Sequence, residues 1–320
     1  MADRRPKRPT LSIVGPVYDE VDGIEEFHRR LQAVRAGIEI DSEVIYVDDG
    51  SRDGSLELLQ KFQEEDPTVR VLSFARNFGH QVAVSAGIDH ARGEATIVID
   101  TDLQDPPELI PELLERWHDG AKMVAAVRRS RAGEPRWRRF TASLFYRLVR
   151  RITDLEIQLD AGDFRLLDHR IVDVLRQMPE RDRFIRGMSS WVGFRQDTVE
   201  YDRDPRFAGE SKYPLRRQVR LAMAAITSFS FAPLQMAGAV GFVLAAISMV
   251  AVPVIIVARL LGVEGLGGQT TVLSVLVFFS SVQLMFLGVF GEYLGRVYQE
   301  LKQRPLYVLQ YDSGVGDTDD

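Results

Sequence analysis

From Leu221 to Ala258 the chain carries no charged residue, a run of about 38 positions bounded by Arg220 and Arg259. A helix needs about 20 apolar residues to cross the hydrocarbon of a bilayer, so this run exceeds the requirement. After Glu264 a second uncharged run, Gly265 to Gly291, extends about 27 positions and also suffices. Runs this long are poorly explained as core helices of a soluble domain. The pattern predicts two transmembrane helices, over 233–260 and 270–290, with Pro253 kinking the first. Arg206, Lys212, Arg216, Arg217 and Arg220 precede the first run, and Arg296, Lys302 and Arg304 follow the second. The short segment between them carries only Arg259 and Glu264. This bias places both termini in the cytoplasm and the chain in the cell (inner or plasma) membrane.

The residues before these runs have a different character. Apolar stretches such as "LSIVGPV", "EVIYVDD", "VRVLSFA", "ATIVID" and "KMVAAV" alternate with amphipathic helical stretches. Helices are expected from near Asp22, from about Asp53, between Gly79 and Gly93, and after Pro107. Continuous apolar strands alternating with helices imply an α/β head with a mostly parallel sheet covered on both faces. Ligands of such sheets bind beyond the carboxyl ends of the strands. Those ends read Pro16-Val17-Tyr18-Asp19-Glu20, Asp48-Asp49-Gly50-Ser51, Arg76-Asn77-Phe78-Gly79 and Asp100-Thr101-Asp102, so polar clusters converge on one edge.

Composition narrows the chemistry. A net charge of −6 offers no general attraction for nucleic acid, and the absence of cysteine excludes disulfides, thiolate metal sites and a cysteine nucleophile. The five histidines are scattered without ligand spacing, so zinc is not expected. The basic start, "MADRRPKRPT", lacks the apolar core of a signal peptide. No GxGxxG follows the first strand and no GxxxxGK[ST] occurs, which excludes the usual dinucleotide and P-loop signatures.

The segment "IVIDTDLQDPPE" is the most informative. Asp105 as a helix N-cap, with Pro106 opening the helix, accounts for its second half. Asp100 and Asp102 remain, and clustered carboxylates repel one another unless a cation sits among them. Oxygen ligands without Cys or His suit Mg²⁺ or Mn²⁺, which can bridge carboxylates to a diphosphate.

With these residues in place the chain resembles the family 2 glycosyltransferases of the GT-A type. More narrowly, it resembles the polyprenyl-phosphate glycosyltransferases, both GtrB-like and dolichyl-phosphate mannose synthase-like. The matching segments are "PVYDE", "VDDGSRDGS", "RNFGHQVAVSAGID", "DTDLQDPPE", "GDFRLLD", "RFIRG", "RFAGESKY" and "GEYLGRVYQELKQRPLY", in family order from about Leu11 to Tyr307. The resemblance implies a Rossmann-like GT-A head followed by two C-terminal transmembrane helices. It implies metal-dependent, inverting transfer of a sugar from a nucleotide sugar, with UDP-glucose favoured, to a polyprenyl phosphate such as undecaprenyl phosphate.

Residue by residue, the resemblance implies that Pro16, Tyr18, Glu20, Asp48, Asp49, Asn77 and Asp100 line the nucleotide-sugar site. Asp100, Asp102 and Gln104 are the implied metal ligands, with Thr101 replacing the usual Ala between the two aspartates. Asp102 and Asp163 are the implied catalytic residues. Asp163 takes the position usually assigned to the base; alternatively it orients the acceptor, supports an oxocarbenium-like sugar, or is a turn residue after Gly162. Arg183, Arg186 and Lys212 are candidates for the acceptor phosphate, because an anionic acceptor calls for cations.

The implied organisation is a basic tail (1–10), a GT-A domain (11–205), a juxtamembrane interfacial segment (206–231), the two spans (232–291), and a C-terminal helix and tail (292–320). Arginines from Arg128 to Arg151, interleaved with apolar residues at helical spacing, form either a lipid-facing amphipathic helix or a helix packed on protein. Residues 213–230 are a further candidate interfacial helix, and the final "DSGVGDTDD" reads as disordered. Expected partners are the nucleotide sugar, the polyprenyl phosphate, membrane lipid and further copies of the chain, such as a tetramer; nucleic acid is not among them. A processive polysaccharide synthase is disfavoured, since no QxxRW-like motif occurs and two spans are few for a channel. A catalytically idle membrane scaffold is disfavoured by the joint presence of Asp100, Asp102, Asp163 and Lys212.

Overall fold

The computed structural model describes residues 10–38, 40–128, 161–181, 183–201 and 268–314, together with scattered helical positions between 234 and 261. Lys212, the arginine-rich stretch after Arg128, the interfacial segment 213–230 and most of the first apolar run, Pro253 included, lie outside the described residues. The chain forms two compact units, one of residues 1–213 with 304–320 and the other of 214–303.

The first unit is built on one eight-stranded sheet. Its strands are β1 (Leu11–Val17), β2 (Ser42–Asp48), β3 (Val69–Phe74), β4 (Ala95–Val98), β5 (Met123–Arg128), β6 (Ala161–Asp168), β7 (Gln196–Tyr201) and β8 (Leu309–Asp312). Their order across the sheet is β7-β5-β6-β4-β1-β2-β3-β8. Helices α1 (Ile24–Gly37), α2 (Ser55–Glu65), α3 (His80–His90), α4 (Ile110–His118), α5 (His169–Gln177) and α6 (Ile185–Trp191) connect or follow them. The four apolar runs behind β1 to β4 are parallel, and their residues are almost wholly buried. Burial on both faces is what continuous Val/Ile/Leu strands demand.

The sheet is more mixed than the strand–helix alternation suggests. β6 runs antiparallel to both β4 and β5, and β8 runs antiparallel to β3. β5 and β7 are again parallel. The expectation of a mostly parallel sheet holds for its centre and fails at both flanks. Strand β8 lies in a stretch read from sequence as C-terminal helix and tail. LQYD is too short to announce a strand, and it exists because β3 offers an edge to pair with.

After β3 the chain returns to the far side of β1 to form β4. The order reverses there, so a crevice opens at the carboxyl ends of β1 and β4. Helix α3 crosses close beneath it. A Cβ on Gly87 would lie 2.1 Å from Val14 Cγ1, so only glycine allows this approach.

In the second unit, α7 (Gln269–Leu301) contains 33 residues, about 50 Å of helix. Its stretch Val275–Leu301 is long and apolar enough to cross a membrane, the one such helix among the described residues. Its length exceeds the roughly 30 Å hydrocarbon thickness, so the polar turns around Glu292, Arg296 and Glu300 continue beyond a membrane-sized span. It ends before Pro305.

Candidate active site

Asp48 and Asp49 close β2, and both are buried. Asp48 accepts the Ser51 N–H at 3.1 Å and the Ser73 hydroxyl at 2.6 Å. Asp49 accepts the N–H groups of Phe78 (2.6 Å) and Gly79 (2.9 Å). Burial pushes the Asp49 carboxyl up, against the pull of those two N–H groups. The pair therefore holds the loops after β2 and β3 in register. The loop after β1 is stitched to the same region: Asp19 N–H reaches Ser51 Oγ, Glu20 N–H reaches Ser55 Oγ, and Val21 N–H reaches Asp53, each at 3.0 Å. Tyr18 stands 46% exposed beside these loops, and Asn77 is also exposed. The predicted nucleoside-lining residues are thus gathered at one strand edge.

The β1 and β4 ends are joined directly. Thr101 Oγ1 donates to the Pro16 carbonyl at 2.8 Å, and the Thr101 methyl fills space that a Cβ on Gly15 would contest at 3.0 Å. The threonine between the two aspartates thus fastens their loop to β1. Leu103 sits in the left-handed region (φ 62°), a conformation uncommon for a leucine. Asp102 accepts the Gln104 N–H at 3.1 Å across this turn. Asp105 is no helix N-cap: it is buried and accepts a hydrogen bond from the Tyr201 hydroxyl, while Pro106 and Leu109 occupy the cap positions.

Asp163 arrives by sheet register. The antiparallel β4–β6 ladder sets Val98 opposite Arg165, and two more residues along each strand bring Asp100 level with Asp163. Asp163 is 5% exposed. It accepts Arg186 Nε at 2.7 Å and Nη2 at 3.0 Å, His80 Nε2 at 3.0 Å and Gln81 Nε2 at 3.2 Å. Burial alone would raise its pKa, but the hydrogen bonds of His80 and Arg186 outweigh it and hold the carboxyl well below the usual range. A carboxylate so firmly ionised is a poor proton acceptor. Among the expected roles, this geometry favours orientation over base catalysis.

His80, at the start of α3, was not singled out by sequence. Its Nε2 lies 3.6 Å from Asp100 Oδ1 as well as 3.0 Å from Asp163. Burial disfavours the imidazolium, yet the hydrogen bond to Asp163 and the charges of Asp100 and Asp163 prevail and raise its pKa to about 9. Asp100 is pushed up to about 7 by burial, with Asp163, Asp105 and Asp102 adding to the rise and His80 opposing it. Its buried Oδ1 has no hydrogen-bond partner among the described residues. A buried carboxyl with a raised pKa and an unpartnered oxygen is one that a further cation would stabilise.

Potential ligand atoms of His80, Asp100 and Asp163 lie within 4.8 Å of one another. That grouping shares Asp100 with the expected set but replaces Asp102 and Gln104 by His80 and Asp163. Of the three, Asp163 is already engaged by four donors, and Asp100 has capacity to spare. The oxygen donors of Asp100, Asp102 and Gln104 are of the type that suits a divalent cation of the Mg²⁺ or Mn²⁺ kind, whereas a His80 imidazolium has no lone pair to offer one.

The predicted acceptor cations are divided. Arg186, with 34% of its side chain exposed, forks the Asp163 carboxylate in the centre of the site. Arg183 is not brought there. Its side chain is 7% exposed and donates to the carbonyls of Met178 and Glu180, with Asp89 at 3.5 Å. Asp89 lies nine residues along α3 from His80, about 13 Å away. A buried arginine spent on backbone carbonyls has no fork left for a lipid phosphate.

Residues 12–176 match the sequence pattern of Glycosyl transferase family 2. The chain belongs to that family. It is a glycosyltransferase, and its relatives match it nearly end to end. It is 44% identical over 304 residues to an uncharacterized glycosyltransferase, YkcC, of Bacillus subtilis, covering 95% of this chain and 94% of the relative. It is 40% identical over 300 residues to the bactoprenol glucosyl transferase of Shigella phage SfII, covering 94% and 97%. Among solved structures, mannosyl-3-phosphoglycerate synthase from Rubrobacter xylanophilus aligns with 68% of this chain and 72% of its own, at 18% identity and a TM-score of 0.48.

Proposed function

We propose that this family 2 glycosyltransferase moves a hexosyl group, glucose in the first instance, from a nucleoside diphosphate to a polyprenyl phosphate. The observation that carries the reading is the buried, unpartnered oxygen of Asp100 at the β1–β4 switch point, in a chain matched over 94% of its length by a bactoprenol glucosyl transferase. Asp48, Asp49, Tyr18, Glu20, Pro16 and Asn77 receive the nucleoside. Asp100 with Asp102 and Gln104 would hold a divalent cation. When bound, that cation supplies Lewis-acid stabilisation of charge on the leaving diphosphate.

The chain's own groups do the remainder. A lipid phosphate monoester is largely deprotonated near neutral pH, with a second pKa of about 6, so it needs no strong base. Asp163 keeps Arg186 and His80 fixed around the reacting centre, and a single displacement inverts the anomeric carbon. Lys212 and Arg186 are the cations proposed for the acceptor phosphate; Lys212→Ala is expected to raise the KM for lipid and leave donor affinity intact. The domain bounds inferred from sequence, two spans, a cytoplasmic head and a homo-oligomer belong to the same proposal.

The test is to incubate purified protein with undecaprenyl phosphate, Mg²⁺ or Mn²⁺ and a panel of UDP- and GDP-sugars, measuring released nucleoside diphosphate. Release with one donor, dependent on lipid and metal, is the expected result. Release without lipid would exclude the polyprenyl acceptor, and no release with any donor would bring forward the scaffold reading.

A further inference from the structure

Strand β8 and the residues before it brace the donor side of the sheet. Ala75 N–H donates to the Val308 carbonyl at 2.9 Å. The Tyr307 ring stacks on Phe74 (5.0 Å between centroids, 19° between planes), and Phe74 meets Phe78 edge-on at 5.6 Å. Phe78 is one of the two residues whose N–H groups Asp49 holds. The β3–β8 register shifts between Ser73 and Phe74, where Gln310 Nε2 donates to Ser73 Oγ at 2.9 Å. Ser73 is fully buried, and its hydroxyl donates to Asp48 Oδ2 at 2.6 Å.

A serine hydroxyl has one proton and two lone pairs. With the proton committed to Asp48 and a lone pair to Gln310, the rotor is fixed at both ends. Asp48 Oδ1 meanwhile tethers the Ser51 N–H. The chain Gln310–Ser73–Asp48–Ser51 therefore runs from a strand beyond the apolar helix to the loop assigned to the nucleoside.

We propose that Gln310 is a positioning residue of the donor site, setting the Asp48 carboxylate through Ser73, so that the C-terminal strand tunes affinity for the nucleoside diphosphate. The proposal rests on the reading of Asp48 as a nucleoside contact. Gln310 touches no substrate, and its loss is felt in donor binding alone.

The experiment uses the full-length protein, titrating UDP and GDP, each with Mn²⁺, and measuring donor KM, lipid KM and kcat in the lipid-dependent assay. Gln310→Ala is expected to weaken nucleotide binding and raise donor KM about threefold, the scale of one neutral hydrogen bond. The kcat, the lipid KM and the melting temperature stay at wild-type values, a split that a merely structural role would not produce. Ser73→Ala should have a similar effect, and the double variant no more than the larger single one, because both belong to one chain of bonds. An unchanged donor KM in Gln310→Ala, or additive losses in the double variant, would overturn the relay. Wild-type protein that binds neither nucleotide and turns over no donor would instead remove the functional reading itself.

Discussion

Asp163→Asn preserves the shape of the side chain and removes one negative charge from a pocket with three cationic neighbours. Arg186 loses a forked partner at 2.7 and 3.0 Å, and His80 loses one at 3.0 Å. Arg165, buried and already lowered to about 10 by that burial, loses the charge that supports it. Removing one member of a buried pair costs about 3–5 kcal/mol. Arg186 is 34% exposed and can turn toward water, so the expected cost is reduced to about 2–3 kcal/mol. At about 2–4 °C per kcal/mol for a domain of this size, the melting temperature falls by about 4–12 °C. Thermal unfolding followed by tryptophan fluorescence reads that shift, and released nucleoside diphosphate at pH 6, 7 and 8 reads turnover. Turnover is expected to be lost across the whole range, because a fixed counter-ion and not a titrating base has been removed. A melting temperature within 1–2 °C of wild type would refute the energetic reasoning. Near-wild-type turnover at all three pH values would refute every functional role given to Asp163 in the reaction.

Three further outcomes follow from other parts of the molecule. Burial raises the Asp66 pKa, but its bonds to Thr68, Arg35 and Gln32 overcome that and bring it down to about 2. Its stabilisation, about 2 kcal/mol, is present above the unfolded value near 3.8 and lost as pH falls through about 2, so denaturant titration of Asp66→Asn should show a deficit at pH 7 that narrows below pH 4. Gly87→Ala drives a methyl into Val14 and should cost about 1–3 kcal/mol, with Val14→Ala restoring part of the loss in a melting experiment. Arg183→Lys cannot reproduce the bonds to Met178 and Glu180, so it should lower the melting temperature while leaving the lipid KM unchanged; a selective rise in lipid KM would return Arg183 to the acceptor site.

How much was legible in the sequence divides along the range of the interactions. The ends of β1, β2 and β4 are local features, apolar runs stopped by carboxylates, and Asp48, Asp100 and Asp102 could be placed on one edge from them alone. The meeting of His80, Asp100 and Asp163 is not local. It depends on β6 pairing antiparallel with β4 in one register, across more than 60 residues of intervening chain. The signal available beforehand was the histidine within "RNFGHQ", beside a strand end already suspected, but a lone histidine carries no spacing pattern. Arg183 and Arg186 look alike in "RFIRG", and only the backbone carbonyls around Arg183 separate a buried strut from a site residue. Asp105 followed the turn grammar of a helix cap, and the Tyr201 hydroxyl claimed it instead.

Because β8 follows α7 in the chain, the head's sheet is finished only after the apolar helix. During synthesis β1 through β7 have all left the ribosome before the apolar helix begins to emerge, and β3 waits with an open edge. A chain broken off within the helix would leave that edge bare and Ser73 without Gln310. Completion of the eight-stranded sheet therefore reports that the apolar helix has been made.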